Sequence, residues 1–526
     1  MKKRDFFHSA GTTVAIMIAA TLLSKVLGLV RQMMTAGIFA ASTEGVAFSV
    51  ASRIPLAIFD MLFSTAIVGA FLPIYKSHLS ADGKRASAFS SAFLTAVLLV
   101  TSAAAALGVI AAPAVISLTA PDLDTETALL AAKLLRIMFP SMVFAGMAYI
   151  LIGILQSHEK FLLPAFVSAL SNLVMILYLA LCEKPADRST AIGMAVAYLI
   201  SWGIQFFTLA IPLLAKKSFP WPTRRLRNPD TALSLRRSLP VMFGSWLIPM
   251  ITLITGAFSS FIDSETVEVG TASGAAIVVY ENAFSVFTIA AGLLTYGVCN
   301  YIFPKLSETF AKKEETAFEA LIAKGLFASL TLMLPIAVLL FLLSRETVSL
   351  LYLRGHFTEG LAAAASASLR ILSLAIPAYG LTELFSRVCY ACGKVRYPMA
   401  ASLGGIACTL IFDSVCLLTS HLSVRTAAFG NALGMIASAL ILGVMTFSRF
   451  PGILRGIPPK KMFALIAATV TSGGCMALTL LFLHRFSYFS QTFQNFITIA
   501  IVFAVGFVVY LIWLIMTKII SSDLFR

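Results

Sequence analysis

Runs of apolar residues long enough to cross a bilayer set what this chain can fold into. About 20 such residues make a helix that spans the hydrocarbon core. Runs of that order fall at about 10–40, 46–75, 87–115, 128–155, 162–182, 190–214, 238–262, 275–304, 318–343, 362–391, 398–418, 424–448, 461–483 and 491–518. In lipid every backbone N–H and C=O must be satisfied inside the segment, which selects helices over open sheets. The pattern therefore predicts an all-α integral membrane protein of about 14 transmembrane helices. Composition agrees, since only 12% of the 526 residues are charged, against about 25% in soluble domains. The N-terminal stretch MKKRDFFHSAGTTVAIMIAATLLSK has the basic start of a signal peptide. It lacks a small-residue cleavage site and stays apolar beyond Lys25, so it reads as an uncleaved first span.

Loop charges orient the spans. Lys2, Lys3 and Arg4, then Lys76, Lys84 and Arg85, then the run AKKSFPWPTRRLRNPDTALSLRR all fall on one side of the fourteen-span reading. So do KLSETFAKKEE, CGKVRYP and SRFPGILRGIPPKK, while TAPDLDTET and IDSETVEVGTAS fall on the other. Lys and Arg gather on the cytoplasmic side of membrane proteins, so both termini are expected there. The formal net charge of +15 is then topology and contact with anionic membrane lipids, not nucleic-acid binding.

One offset recurs along the chain. Residues 131–168 match 365–402 at a constant shift of 234, with Arg136/Arg370, Gly146/Gly380, Lys160/Lys394 and Pro164/Pro398 the informative pairs. The shift carries spans 4–5 onto spans 10–11. Six helices is an even number, so the copies point the same way. The expected organisation is an N-terminal six-helix bundle (1–215), a basic cytoplasmic linker (216–237), a C-terminal six-helix bundle (238–450) and two additional helices (451–526). Repeats of this kind are a transporter signature, with the site between the halves.

Charges inside spans mark candidate function. Spans 1 and 2 form a hairpin turning near 41–44. Lys25 and Asp60 lie at matched depth, about 25 Å from that turn at about 1.5 Å per residue, so they are expected to pair. Arg31 and Arg53 are also matched, about 16 Å from the turn. They cannot satisfy each other. Either they snorkel outward or contact backbone carbonyls, or they line a wet cavity that takes an anion. Gly28 and Pro55 stand beside them as candidate hinges. Glu383 and Arg387, four apart, are expected to pair on one helix face. Glu281 has no evident partner and is a candidate coupling charge, while Arg136 and Arg370 sit where snorkelling is the default. The six histidines lie in or near loops, the Cys389–Cys392 pair has no second metal-binding half, and neither a Walker A sequence nor HExxH occurs. No cofactor, metal or catalytic residue is called for, and the chain reads as a non-enzyme.

The stretch SKVLGLVRQ resembles the first-helix motif of the MurJ (MviN) family of lipid II flippases in the MOP exporter superfamily. GAFLPIYKSH is similar to the end of that family's second helix. The run from LLRIMFPSM to SALSNLVMI is similar to its fourth and fifth helices, and LLYLRGHFTEG followed by IPAYGL to its ninth-to-tenth region. The resemblance covers nearly the whole chain. It implies fourteen helices in the bacterial cytoplasmic membrane, around a cationic cavity for an undecaprenyl-pyrophosphate-linked peptidoglycan precursor. It implies a groove for the lipid tail in the last two helices. Arg31 matches the family's first-helix arginine, Lys25 stands where an earlier arginine is common, and Arg53 matches a basic position before the second-helix proline. Three features depart from the family: Gln32 replaces an acidic residue, Phe59 and Asp60 replace an arginine pair, and 275–304 holds no Lys or Arg. The physical reading agrees, because guanidinium groups grip phosphate oxygens through charge-assisted hydrogen bonds. Rival readings are a MATE-like cation antiporter, which needs uncompensated acids, and a flippase for another polyprenyl-linked saccharide. A membrane glycosyltransferase needs catalytic carboxylates in a large outer loop, and the outer loops are short. A non-transporting scaffold fits the repeat less well.

Overall fold

The computed structural model describes residues 2–64, 71–182, 187–224, 242–457, 459–485, 490–517 and 519. Most of the expected basic linker, residues 225–237, lies outside the described residues. No strand occurs among the described residues, and helices carry the fold. Twelve of the described helices are long and apolar enough to cross a membrane, or thirteen if one bent pair is a single span. The count of fourteen would also need α9 (Leu247–Ser260), whose 14 residues fall short of a full crossing.

The chain divides into two compact units: Met1–Pro249 with Gly270–Val278, and Met250–Val269 with Val279–Arg526. The first unit contains α1 (Lys2–Phe39), α2 (Thr43–Phe59), α3 (Leu72–Ala81), α4 (Gly83–Thr119), α5 (Thr125–Met138), α6 (Ser141–Ser157), α7 (Leu162–Leu181) and α8 (Arg188–Ala215). The turn expected near 41–44 is present. Ala40 takes a left-handed φ of 45°, and Ser42 caps α2 by accepting from the Gly45 amide at 3.2 Å. Its partners differ from a simple hairpin, because α1 packs along α7 and meets α2 only slightly, while α2 packs on α5.

The second unit holds α9 and the short α10 (Ser264–Val267), then α11 (Ala275–Ala311), α12 (Glu315–Leu342), α13 (Ser344–Tyr352), α14 (Glu359–Ser373) and α15 (Ile376–Ala391). It ends with α16 (Arg396–Leu418), α17 (Val424–Arg449), α18 (Pro459–Leu483) and α19 (Gln491–Met516). The last two pack on each other and also lean on α12 and α13. Tyr510 donates to the Thr331 carbonyl at 2.8 Å, which ties α19 to α12 inside the bundle.

The two stretches related by the 234-residue shift are each interrupted, at positions one residue apart under that shift. α5 and α6 break at Phe139–Pro140, and α14 and α15 break by 45° at Leu374–Ala375. Arg136 and Arg370 each sit in the last turn before the break. Arg370 does more than snorkel. Its Nε donates to Ser344 Oγ at 3.2 Å, and its guanidinium lies 5.9 Å from the Phe341 ring centre.

Several helix starts are capped by short polar side chains, which satisfy backbone amides of the first turn. Asp187 caps α8 most fully, accepting from the Thr190 amide and hydroxyl, both at 2.9 Å, and from Ser189 Oγ at 2.8 Å. Those donors, led by the Thr190 amide, hold its carboxyl down to about 2. A depressed carboxyl stabilises above its unfolded value near 3.9 and loses that contribution as pH falls through about 2. We therefore expect hydrogen exchange at the start of α8 to rise between about pH 4 and pH 2. Asp187→Asn keeps a capping oxygen and should remove that pH dependence; an unchanged profile in the variant would refute the assignment.

Candidate functional site

The first-unit site begins where α1 crosses α7. Asn172 Nδ2 donates to the Ser24 carbonyl at 3.2 Å and to the Ser168 carbonyl at 3.1 Å. A Cβ at Gly28 would sit 3.4 Å from the same nitrogen. Gly28 is thus a contact point between two helices. α1 runs through it unbroken.

One turn along, Arg31 Nη1 donates to Met175 Sδ at 3.5 Å. A thioether is a weak acceptor and carries no charge. Arg31 has no carboxylate partner among the described residues, although it is half-buried in an apolar span. Across from it on α8, the buried Tyr198 hydroxyl lies near Ser141 and Trp202. It makes no hydrogen bond of good geometry among the described residues.

The expected Lys25–Asp60 pair is not formed. Lys25 is half-buried and makes no ion pair among the described residues. The physical reason is packing: equal depth along consecutive helices gives contact only if those helices lie side by side, and α1 lies beside α7. Asp60 opens a π-helical turn, Asp60–Ser64, that follows α2. Pro55 sits buried inside α2, and the departure from α geometry comes only at Asp60, one turn later. Such turns recur at functional sites because the wider ring leaves carbonyls free to bond elsewhere. Here the Met61 carbonyl accepts from Trp246 Nε1 at 2.9 Å. Arg53, also on α2, turns inward with all three guanidinium nitrogens shielded from solvent.

The second unit carries its own polar interior. Glu383 and Arg387 pair at 3.8 Å on α15, as their spacing predicts, and the Arg387 guanidinium lies 5.7 Å from the Phe303 ring centre. Glu281, on α11, engages neighbouring groups and is not left alone. Two features escaped sequence reasoning. Asn431 Nδ2 donates to Thr255 Oγ1 at 3.3 Å and also to the Tyr280 hydroxyl. Nearby on α16, Asp413 is fully buried, and neither carboxyl oxygen has a hydrogen-bond partner among the described residues. An ionised carboxylate in that setting is costly without a counter-charge. The signal was present as a lone Asp inside the apolar run TLIFDSV.

The comparisons with known proteins converge. The chain is similar to the lipid II flippase MurJ of Burkholderia cenocepacia, at 26% identity over 448 residues, covering 83% of this chain and 84% of that protein. Its fold matches a solved lipid II flippase MurJ in an inward closed conformation, with TM-score 0.78 and 23% identity over 97% of this chain and all of that one. It also resembles an inward-facing multidrug resistance MATE transporter of the MOP superfamily, with TM-score 0.67 and 12% identity over 84% of this chain and 99% of that one. That second likeness is one of fold. The family model for lipid II flippase MurJ matches residues 35–515, so the chain belongs to the MurJ family of lipid II flippases.

Proposed function

We propose that this chain flips lipid II, the undecaprenyl-pyrophosphate-linked peptidoglycan precursor, across the bacterial cytoplasmic membrane by alternating access. The observation that carries the reading is Arg31, a guanidinium in an apolar span whose hydrogen-bond partner is a thioether. A pyrophosphate supplies the charge and the paired oxygens that such a group lacks. Arg53 and Lys25 supply further positive charge in the same unit. Asp60, Glu281, Glu383 and Arg387 are the charges through which an ion or the membrane potential would couple to transport. The transporter reading makes the chain a carrier without catalytic residues. In this reading both termini face the cytoplasm, and two parallel six-helix bundles rock about the site while the last two helices take the lipid tail. The cation-antiporter alternative rests on fold likeness alone, and the two arginines oppose it.

The test is rescue of bacterial cells depleted of their own flippase, together with native mass spectrometry of the purified chain offered lipid II. We expect growth to be restored and lipid II to be retained in preference to undecaprenyl phosphate. Rescue without lipid II retention, or neither, would overturn the substrate assignment.

A further inference from the structure

A cavity of about 490 Å³ opens between the first turns of α5 and α8, walled by Glu126, Leu129, Lys133, Arg188 and Ile192 among others. It lies wholly within the first unit, at the end that carries the acidic loop 120–126. Glu126, Leu129 and Lys133 are spaced three and four apart, so they share one face of α5. Arg188, the first residue of α8, pairs across the seam with Glu126, and both side chains are exposed. The two helix N-termini are already closed by their own caps. Asp124 accepts from the Thr127 amide at 3.1 Å, and Asp187 accepts from the Thr190 amide at 2.9 Å. Any anion here is therefore met by side chains.

Among the lining residues Lys133 and Arg188 are cations and Glu126 is the carboxylate, while the neighbouring Asp124 and Asp187 are turned to the helix amides, which leaves Lys133 without an acidic partner in the lining. Lys133 is exposed within a candidate membrane span, beside Leu129, which is 66% exposed. A cation facing lipid must find an anion or reach water. The fold itself does not demand these charges. The 234-residue shift relates the α5 cap Asp124 to the α14 cap Thr358, and it puts Gly360 opposite Glu126 and Ala367 opposite Lys133. The helix matching α8 in the second copy, α17, opens on Val424 where α8 opens on Arg188; its first-turn cation, Arg425, stands one residue further on, at the place of Ser189. A structural need would be expected in both copies.

We propose that this cavity binds one singly anionic bilayer phospholipid. Its phosphodiester would lie against Lys133 and Arg188, and its first acyl carbons against Leu129 and Ile192. The match is of charge, one negative against one positive, and of shape, since the cationic groups continue directly into an apolar wall. A phosphatidylethanolamine headgroup, with no net charge, fits less well. This site is separate from Arg31, and its test does not depend on which substrate the chain transports.

The experiment offers the purified full chain equal amounts of phosphatidylglycerol and phosphatidylethanolamine and reads retained lipid by native mass spectrometry. We expect phosphatidylglycerol to be favoured about fivefold or more, the effect of one basic side chain near a lipid surface. Lys133→Ala should erase that preference and Lys133→Arg should keep it. Lys133 is exposed, so size-exclusion profiles of both variants should match the parent. If Lys133→Ala retains the preference, the cavity is not the site. If inorganic phosphate occupies the parent as readily as the phospholipid does, the apolar wall contributes nothing and the lipid assignment falls.

Discussion

Replacing Arg31 with alanine is expected to abolish rescue of flippase-depleted cells while leaving the purified protein as stable as the parent. The two halves of that result have separate causes. Arg31 contributes little to stability, because its hydrogen bond to Met175 Sδ at 3.5 Å is weak and no carboxylate among the described residues pairs with it. Removing a desolvated cation of that kind relieves a cost, and the Asn172–Ser24 contact continues to hold α1 on α7. Substrate binding loses a charge-assisted pair worth about 1.5–3 kcal/mol, or about ten- to a hundredfold in affinity. Arg31→Lys should recover only part, since an ammonium keeps the charge but loses the planar fork that holds two phosphate oxygens. Lipid II retention in native mass spectra, thermal unfolding in detergent and cell rescue should be measured on the same variants. An Arg31→Ala protein that binds lipid II and rescues growth like the parent would show that the arginine serves no substrate.

The second large effect is on stability, at the crossing of α16 and α17. Gly430 and Gly434 are four apart on α17, the small-residue spacing that lets membrane helices approach closely. A Cβ at Gly434 would lie 2.1 Å from Thr409 Oγ1 and 2.8 Å from the Gly405 carbonyl oxygen. The hydroxyl could rotate only by giving up its 3.0 Å bond to the Gly430 carbonyl, and the Gly405 backbone cannot rotate away. Gly434→Leu should therefore force the helices apart at a cost of about 3 kcal/mol, the upper end of overpacking in a filled core. Gly203→Ala on α8 is the control. Nothing lies within 4 Å of its added Cβ, so the higher helix propensity of alanine should stabilise by up to about 1 kcal/mol. Unfolding curves in detergent separate the two. Equal midpoints for Gly434→Leu and the parent would mean the two helices do not pack as closely as Gly434 implies.

Much of the architecture was legible because its causes are local. Apolar length marks membrane helices, since backbone groups in hydrocarbon must be satisfied within the segment. The i,i+4 rule predicted the Glu383–Arg387 pair, which lies on one helix and needs no tertiary information. The shift of 234 relates spans 4–5 to 10–11 in the sequence, and each first member is interrupted, one residue apart under that shift. Less of the candidate site was legible. Arg31 and Arg53 stood out as charges in apolar runs, but nothing in the chain near Arg31 announces Met175 or Tyr198.

What the sequence by itself determined is the helical membrane class, the family motifs and the positions of intramembrane charge. Which helix lies beside which was decided by tertiary packing. Lys25 and Asp60 match in depth and still do not pair, because α1 rests on α7 through Asn172. Gly28 leaves the space for that contact, which no reading along one helix could show. Asp413 reads as one polar residue among many until burial deprives both its oxygens of partners. Each outcome depends on side chains more than a hundred residues apart or on closure of a packed interior. Helical periodicity extends over a few turns and carries no information about either.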